Sequence, residues 1–148
     1  MPSHRPIPQT IQDSVRKRAG YLCEYCHTSE LWQCVRFTID HVVPLSAGGA
    51  NSIDNYALAC FHCNRKKYKK RTGIDPLSGI ETSLFNPRQD KWNDHFVWSV
   101  DRCTVIGLTG IARTTIEILE LNRPRIISIR AADVLIGRHP PGIDLVQT

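Results

Sequence analysis

Asp40 and His41 stand side by side in this sequence, and Asn55, Asn64 and Lys67 follow them within one short stretch. These are side chains that hydrolysis of a phosphodiester bond can use. Such a reaction needs a base to deprotonate water, a cation to stabilise charge building on the phosphate and the leaving oxygen, and a group that holds the strand. An imidazole titrates near neutrality when unperturbed, so His41 is the candidate base. Asp40 offers an anionic oxygen and Asn64 a neutral amide oxygen. Hard donors of this kind suit magnesium or manganese, with water and phosphate oxygens completing the shell. Adjacent side chains on a strand point to opposite faces, so Asp40 and His41 can share a site only at a strand end or a bulge. Pro44, close behind, supports such an end.

The cysteines frame this stretch. Four of the six fall into two pairs, Cys23-x-x-Cys26 and Cys60-x-x-Cys63, while Cys34 and Cys103 stand alone. Two such pairs can deliver four thiolates to one tetrahedral zinc, and four protein ligands leave no open position, so the ion would be structural. The alternatives are free buried thiols or a redox pair, but a redox pair needs no second pair at matched spacing. His27 and His62 adjoin the knuckles and could each replace a cysteine. From Arg65 to Arg71 every residue except Tyr68 is Lys or Arg. Alone, such a run can be a solvated helix end that complements the helix dipole. Directly behind a candidate site it reads as a phosphate-facing patch, with Arg65, Lys66, Lys70 and Arg71 as contacts.

These groups need elements to position them. The spacing predicts a basic helix over 11–19, with Ile11 and Val15 on one face and Gly20 as its stop. Val35, Phe37 and Ile39 alternate with polar residues and predict a half-buried strand. Gly48-Gly49 marks a turn, 56–59 a second short strand, and 61–70 a helix that puts Asn64, Lys67 and Arg71 on one face. Gly73, Pro76 and Gly79 suggest a boundary within 71–81. Beyond it, strands are expected over 95–100 and 104–108. A helix over 111–121 would carry a stripe of Ile111, Ile118 and Leu121. A last helix would run to Ile136, with Asn122 as its cap and Gly137 as its end.

Residues 23–67 closely resemble the core of the HNH nucleases, the ββα-metal fold. The framing cysteine pairs, Asp40-His41-Val42-Val43-Pro44, Gly48-Gly49, Asp54-Asn55 and Cys60-x-x-Cys63-Asn64-x-x-Lys67 carry the resemblance. It implies an α+β chain with a core stapled by a four-cysteine zinc site and a small α/β C-terminal extension. It further implies that His41 is the general base, that Asp40 and Asn64 hold a catalytic magnesium or manganese, that Asn55 orders the histidine loop, and that Lys67 steadies the phosphate. Asn64 stands where the family name has its second histidine, a change that favours harder metals. The segment around Leu84–Arg88, Trp92 and His95–Trp98 is similar to an extension of small free-standing bacterial HNH proteins. Its aromatic residues are expected to close a satellite core, and Arg88 and Arg113 could touch phosphate.

The expected organisation is a basic N-terminal helix region over 1–20, the core over 21–71, and an extension without an assigned role over 72–148. With 148 residues, a net charge of +5 and a pI near 9.0, the chain is ordinary for a soluble domain with a basic excess. No signal segment or membrane span is evident, so a cytoplasmic location is expected. The expected partner is nucleic acid, double-stranded DNA above all. A zinc-ribbon module that binds nucleic acid without chemistry is the alternative. It explains the cysteines and the basic run but not Asp40, His41, Asn55 and Asn64 together.

Overall fold

A computed structural model describes residues 5–145; the outermost residues of the first and last expected segments, 1–4 and 146–148, lie outside it. Helix α1 (Gln9–Arg18) ends on Arg16, Lys17 and Arg18, cations that suit the negative end of the helix dipole. Its inner face buries Val15 completely. Arg16 is also buried, and its guanidinium pairs with Glu30 at 3.1 Å and donates to Phe37 O at 2.8 Å. The helix thereby fixes the chain that leads into the first strand.

Strands β1 (Thr38–His41) and β2 (Tyr56–Ala59) pair antiparallel, with Asp40 opposite Ala57 and His41 opposite Tyr56. Helix α2 (Phe61–Lys67) follows β2 directly. Every residue of β2 is buried, and helices on either side of it in sequence pack against it. The strand β1 is shorter than its alternation suggests. Val35 lies outside it and is 65% exposed, and the deepest side chain of β1 is Asp40 rather than Ile39. A hydrophobicity pattern assigns the inner face to apolar residues, and here a charged residue with buried partners takes that position.

The stretch read as a boundary is a hairpin of β3 (Thr72–Ile74) and β4 (Glu81–Ser83). It packs on helix α4 (Gly110–Leu119) so closely that a Cβ on Gly73 would stand 2.7 Å from Ile118 Cγ1. Between them come a short helix α3 (Trp92–His95) and a third pair, β5 (Phe96–Trp98) with β6 (Val105–Gly107). The buried residues of α4 are Ala112, Thr114, Thr115 and Leu119; Ile111 and Ile118 are only partly covered. Helix α5 (Pro124–Leu135) starts on Arg123 with Pro124 in its first turn. Asn122 is not its cap. The amide of Asn122 instead exchanges two hydrogen bonds with the backbone of Val105, at 2.9 and 2.8 Å.

The chain is therefore α+β, with two-stranded antiparallel sheets and helices packed on them. One apolar core runs from Val15 through the knuckles to Leu121, and the aromatic residues of the extension close it. Trp92 stacks on His27 at 3.9 Å and on Phe96 at 5.0 Å, and its Nε1–H donates to Tyr25 O. No helix among the described residues is long and apolar enough to cross a membrane.

Candidate active site and cysteine cluster

The four paired cysteines meet. Their sulfurs lie within 4.8 Å of one another, all four residues are buried, and Cys26 Sγ stands 3.8 Å from Cys60 Sγ. Four sulfurs about 2.3 Å from a tetrahedral zinc would stand about 3.8 Å apart, so the donor set fits that ion. The neighbouring sulfurs, Cys23 first, hold Cys26 well below the ordinary thiol range, while burial pushes Cys23 well above it and its sulfur neighbours do the same to Cys63. His27 and His62 are otherwise engaged. His27 faces Asp144 at 3.0 Å, and the His62 ring donates to Leu119 O at 2.8 Å.

The cluster fixes α2 against the first knuckle, and both carry partners of Asp40. Tyr25, between the first two cysteines, donates its hydroxyl to Asp40 Oδ2 at 2.6 Å. Lys67, on the last turn of α2, approaches Oδ2 at 3.1 Å and Oδ1 at 3.4 Å, and donates to His41 O at 3.2 Å. Asp40 is 5% exposed and Lys67 is 2% exposed. Burial pushes the Asp40 carboxyl above the usual range, against the pull of the Lys67 ammonium and the Tyr25 hydroxyl. Burial, with Asp40 beside it, holds the Tyr25 phenol well above its ordinary value, so it remains a donor.

His41 ends β1, the position at which two neighbouring side chains can serve one site. It is half-buried and edge-on to Tyr56 at 5.2 Å. Its Nε2–H donates to Asn51 Oδ1 at 2.8 Å, which leaves Nδ1 as the ring's acceptor. The following loop is clamped by Asn55, which is buried. Its Oδ1 accepts from Val43 N at 2.9 Å, and its Nδ2 donates to Val43 O and Ala50 O at 2.9 and 3.0 Å. Gly49 is required there: a Cβ would overlap Val43 O and stand 2.9 Å from Asn55 Nδ2.

Asp40, His41 and Asn64 line one open groove, together with Pro44, Tyr68 and Lys69. The Asn64 amide has no partner among the described residues, and Asp40 Oδ1 is the less engaged carboxylate oxygen. These two hard oxygens can meet a divalent cation. Lys67 differs from its expected place: it is a buried partner of Asp40 and not a surface cation. Helix α2 stops at Lys67 because Tyr68 turns to a positive φ of 47°, so Arg71 is not on its face. Arg65, Lys70 and Arg71 are exposed, and Lys66 pairs with Glu120 at 3.3 Å. Arg88 pairs with Glu24, and Arg113 holds Asp75 through two bonds, so neither is a free phosphate contact. Asn51 and Tyr25 are the residues that sequence reasoning missed. Asn51 had a weak signal in its place just after Gly48-Gly49, whereas nothing local marks Tyr25.

Residues 23–70 match the family model of the HNH endonucleases, from the first knuckle into the basic run. No curated protein and no solved structure matches the chain.

Proposed function

We propose that this chain, whose residues 23–70 carry the HNH endonuclease core, cuts DNA by metal-dependent hydrolysis of a phosphodiester bond. The observation that carries this reading is the convergence of Asp40, His41 and Asn64 on one groove beside the exposed Lys69. A binding module has no need of that set. His41 Nδ1 takes the proton from water, and Asn51 holds the ring through Nε2 so that the lone pair stays free. Asn55 fixes the loop behind His41, a positioning role that touches no reacting atom. A magnesium or manganese ion held by Asp40 and Asn64 would stabilise charge on the phosphate and the leaving oxygen. Lys67 keeps Asp40 ionised in a buried place and orients it. Zinc on the four cysteines is structural. Lys69, Lys70, Arg65 and Arg71 offer the exposed cations for the strand.

A plasmid-relaxation assay tests this reading. Supercoiled DNA is incubated with the protein in magnesium, in manganese or with neither, beside His41→Ala and Asn64→Ala. Nicking that needs the metal and falls by about 10²–10⁴-fold in His41→Ala is expected, the usual range for a lost general base. Retarded gel mobility with no cutting in any metal, equal for wild type and variants, would overturn it in favour of the binding module.

A further inference from the structure

A second depression adjoins the candidate active site. Asp40, His41 and Pro44 line the groove, while Val42 and Val43 line a cleft of about 550 Å³, so one stretch of chain forms the partition between the two. The basic run divides in the same way, with Lys69 on the groove and Lys70 and Arg71 on the cleft. The far wall comes from the extension, through Ser83, Asn86 and Gln89.

We propose that this cleft receives a single unpaired nucleotide of the substrate strand next to the cut, so that the protein prefers DNA that is unpaired or distorted at the cleavage point. The proposal deepens the nuclease reading and shares its premise that the partner is nucleic acid. Charge favours a phosphate. Lys70 and Arg71 are exposed, and neither enters an ion pair among the described residues. The one carboxylate on the wall, Asp90, is engaged by the backbone N–H of Asn86 at 3.0 Å. The Gln89 amide is exposed and makes no hydrogen bond among the described residues, so it can meet the edge of a base. Size excludes a helix. A space of about 550 Å³ lies within the roughly 300–1,000 Å³ range of small-molecule pockets, and a duplex can only straddle its rim. Extruding a paired nucleotide costs a few kcal/mol, and the cost is smallest where the base is already unpaired.

The test separates binding from cutting. Fluorescence anisotropy with no magnesium or manganese added, so that nothing is cut and the cysteine-bound ion is not stripped, compares a fully paired DNA duplex with one that carries a short central bubble. Wild type is expected to bind the bubble about tenfold tighter. Ser83→Glu with Gln89→Glu places two negative charges on the exposed wall without touching the core. That variant should lose most of the preference, its affinity for the bubble falling several-fold more than its affinity for the paired duplex. Lys70→Gln with Arg71→Gln should weaken both complexes and reduce the salt slope by about one to two. Equal affinity of wild type for the two duplexes would overturn the proposal. So would a bubble preference that survives Ser83→Glu with Gln89→Glu. A preference that follows these variants in a protein that nicks neither duplex with any metal would sustain the cleft and refute the nuclease.

Discussion

Among the described residues Asp40 and Asp75 are both buried, one in the segment that matches the HNH endonuclease model and one in the extension, and they are held very differently. Asp75 sits in the turn of the β3–β4 hairpin. Its carboxylate accepts from Arg113 Nε and Nη2 at 3.0 and 2.9 Å, from Leu77 N at 3.1 Å and from Ser78 Oγ at 2.8 Å. The Arg113 hydrogen bonds hold this carboxyl far below the usual range. Asp40 has only Tyr25 and Lys67, and its pKa is shifted in the opposite direction by burial. A saturated carboxylate is an anchor: every lone pair is used and its charge is balanced by a forked cation. One that is buried and less than saturated keeps an oxygen for something else. The contrast separates a saturated acid from one that keeps an oxygen open, and it agrees with the groove that Asp40 lines.

Removal of the cysteine-bound metal should affect the two most unequally. Tyr25 and Lys67 both depend on the knuckles, whereas the partners of Asp75 lie in its hairpin and on α4. Structural zinc contributes on the order of 10 kcal/mol to the folding of small domains. A chelator, or Cys63→Ser, should therefore abolish nicking, and amide exchange should show residues 23–67 losing protection ahead of 72–119. Equal loss across the two regions would break the comparison.

Substitution of the acids themselves comes next. Asp40→Asn removes the negative charge from the proposed metal site and leaves Lys67 buried beside a neutral amide. Loss of one partner of a buried pair costs about 3–5 kcal/mol, and nicking should fall at least about 10²-fold. Asp75→Asn should lower the denaturation midpoint and leave nicking within a fewfold of wild type. Plasmid relaxation and urea unfolding of both variants decide it; an Asp75→Asn protein that is fully folded yet inactive would assign the hairpin to the site.

The smallest effect is in pH. Asp75 has a depressed folded value, so its stabilisation is present above the ordinary carboxylate value near 3.9 and is lost as pH falls below it. Asp40 has a raised folded value, so its linkage has the opposite sign, and stability is lost as pH rises through that value. On lowering the pH from 7 to 3, the stability gap between wild type and Asp75→Asn should close. The gap between wild type and Asp40→Asn should shift in favour of wild type. Urea midpoints across that range read both, and gaps that move together would remove the distinction.

Spacing and residue type picked out the cysteine pairs, the β1–β2–α2 order, and Asp40, His41 and Asn64 as candidates that the fold brings to one groove, while the role of Asn55 came from the resemblance to the HNH nucleases. These are local signals: C-x-x-C pairs, alternation, glycine turns and a run of helix formers each act within a few residues. Spacing failed where burial decided. The strand pattern named Ile39 as inward and Asp40 as outward, and helical periodicity named Lys67 and Arg71 as a shared cationic face. A charged side chain becomes an interior residue only if partners arrive from elsewhere. For Asp40 they come from Tyr25 in the first knuckle and Lys67 on α2, brought together by the cysteine cluster.

The sequence by itself thus determined which chemistry was available and in what order along the chain its groups occur, because residue type and short-range geometry are written locally. Tertiary packing decided which of those groups are free to use it. It turned Lys67 inward, paired Arg88 with Glu24 and Arg113 with Asp75, left the Asn64 amide open on the groove, and set the extension beside Lys70 and Arg71. The physical reason is desolvation. A charge taken out of water must be met by partners distant in sequence, and only the folded arrangement supplies them.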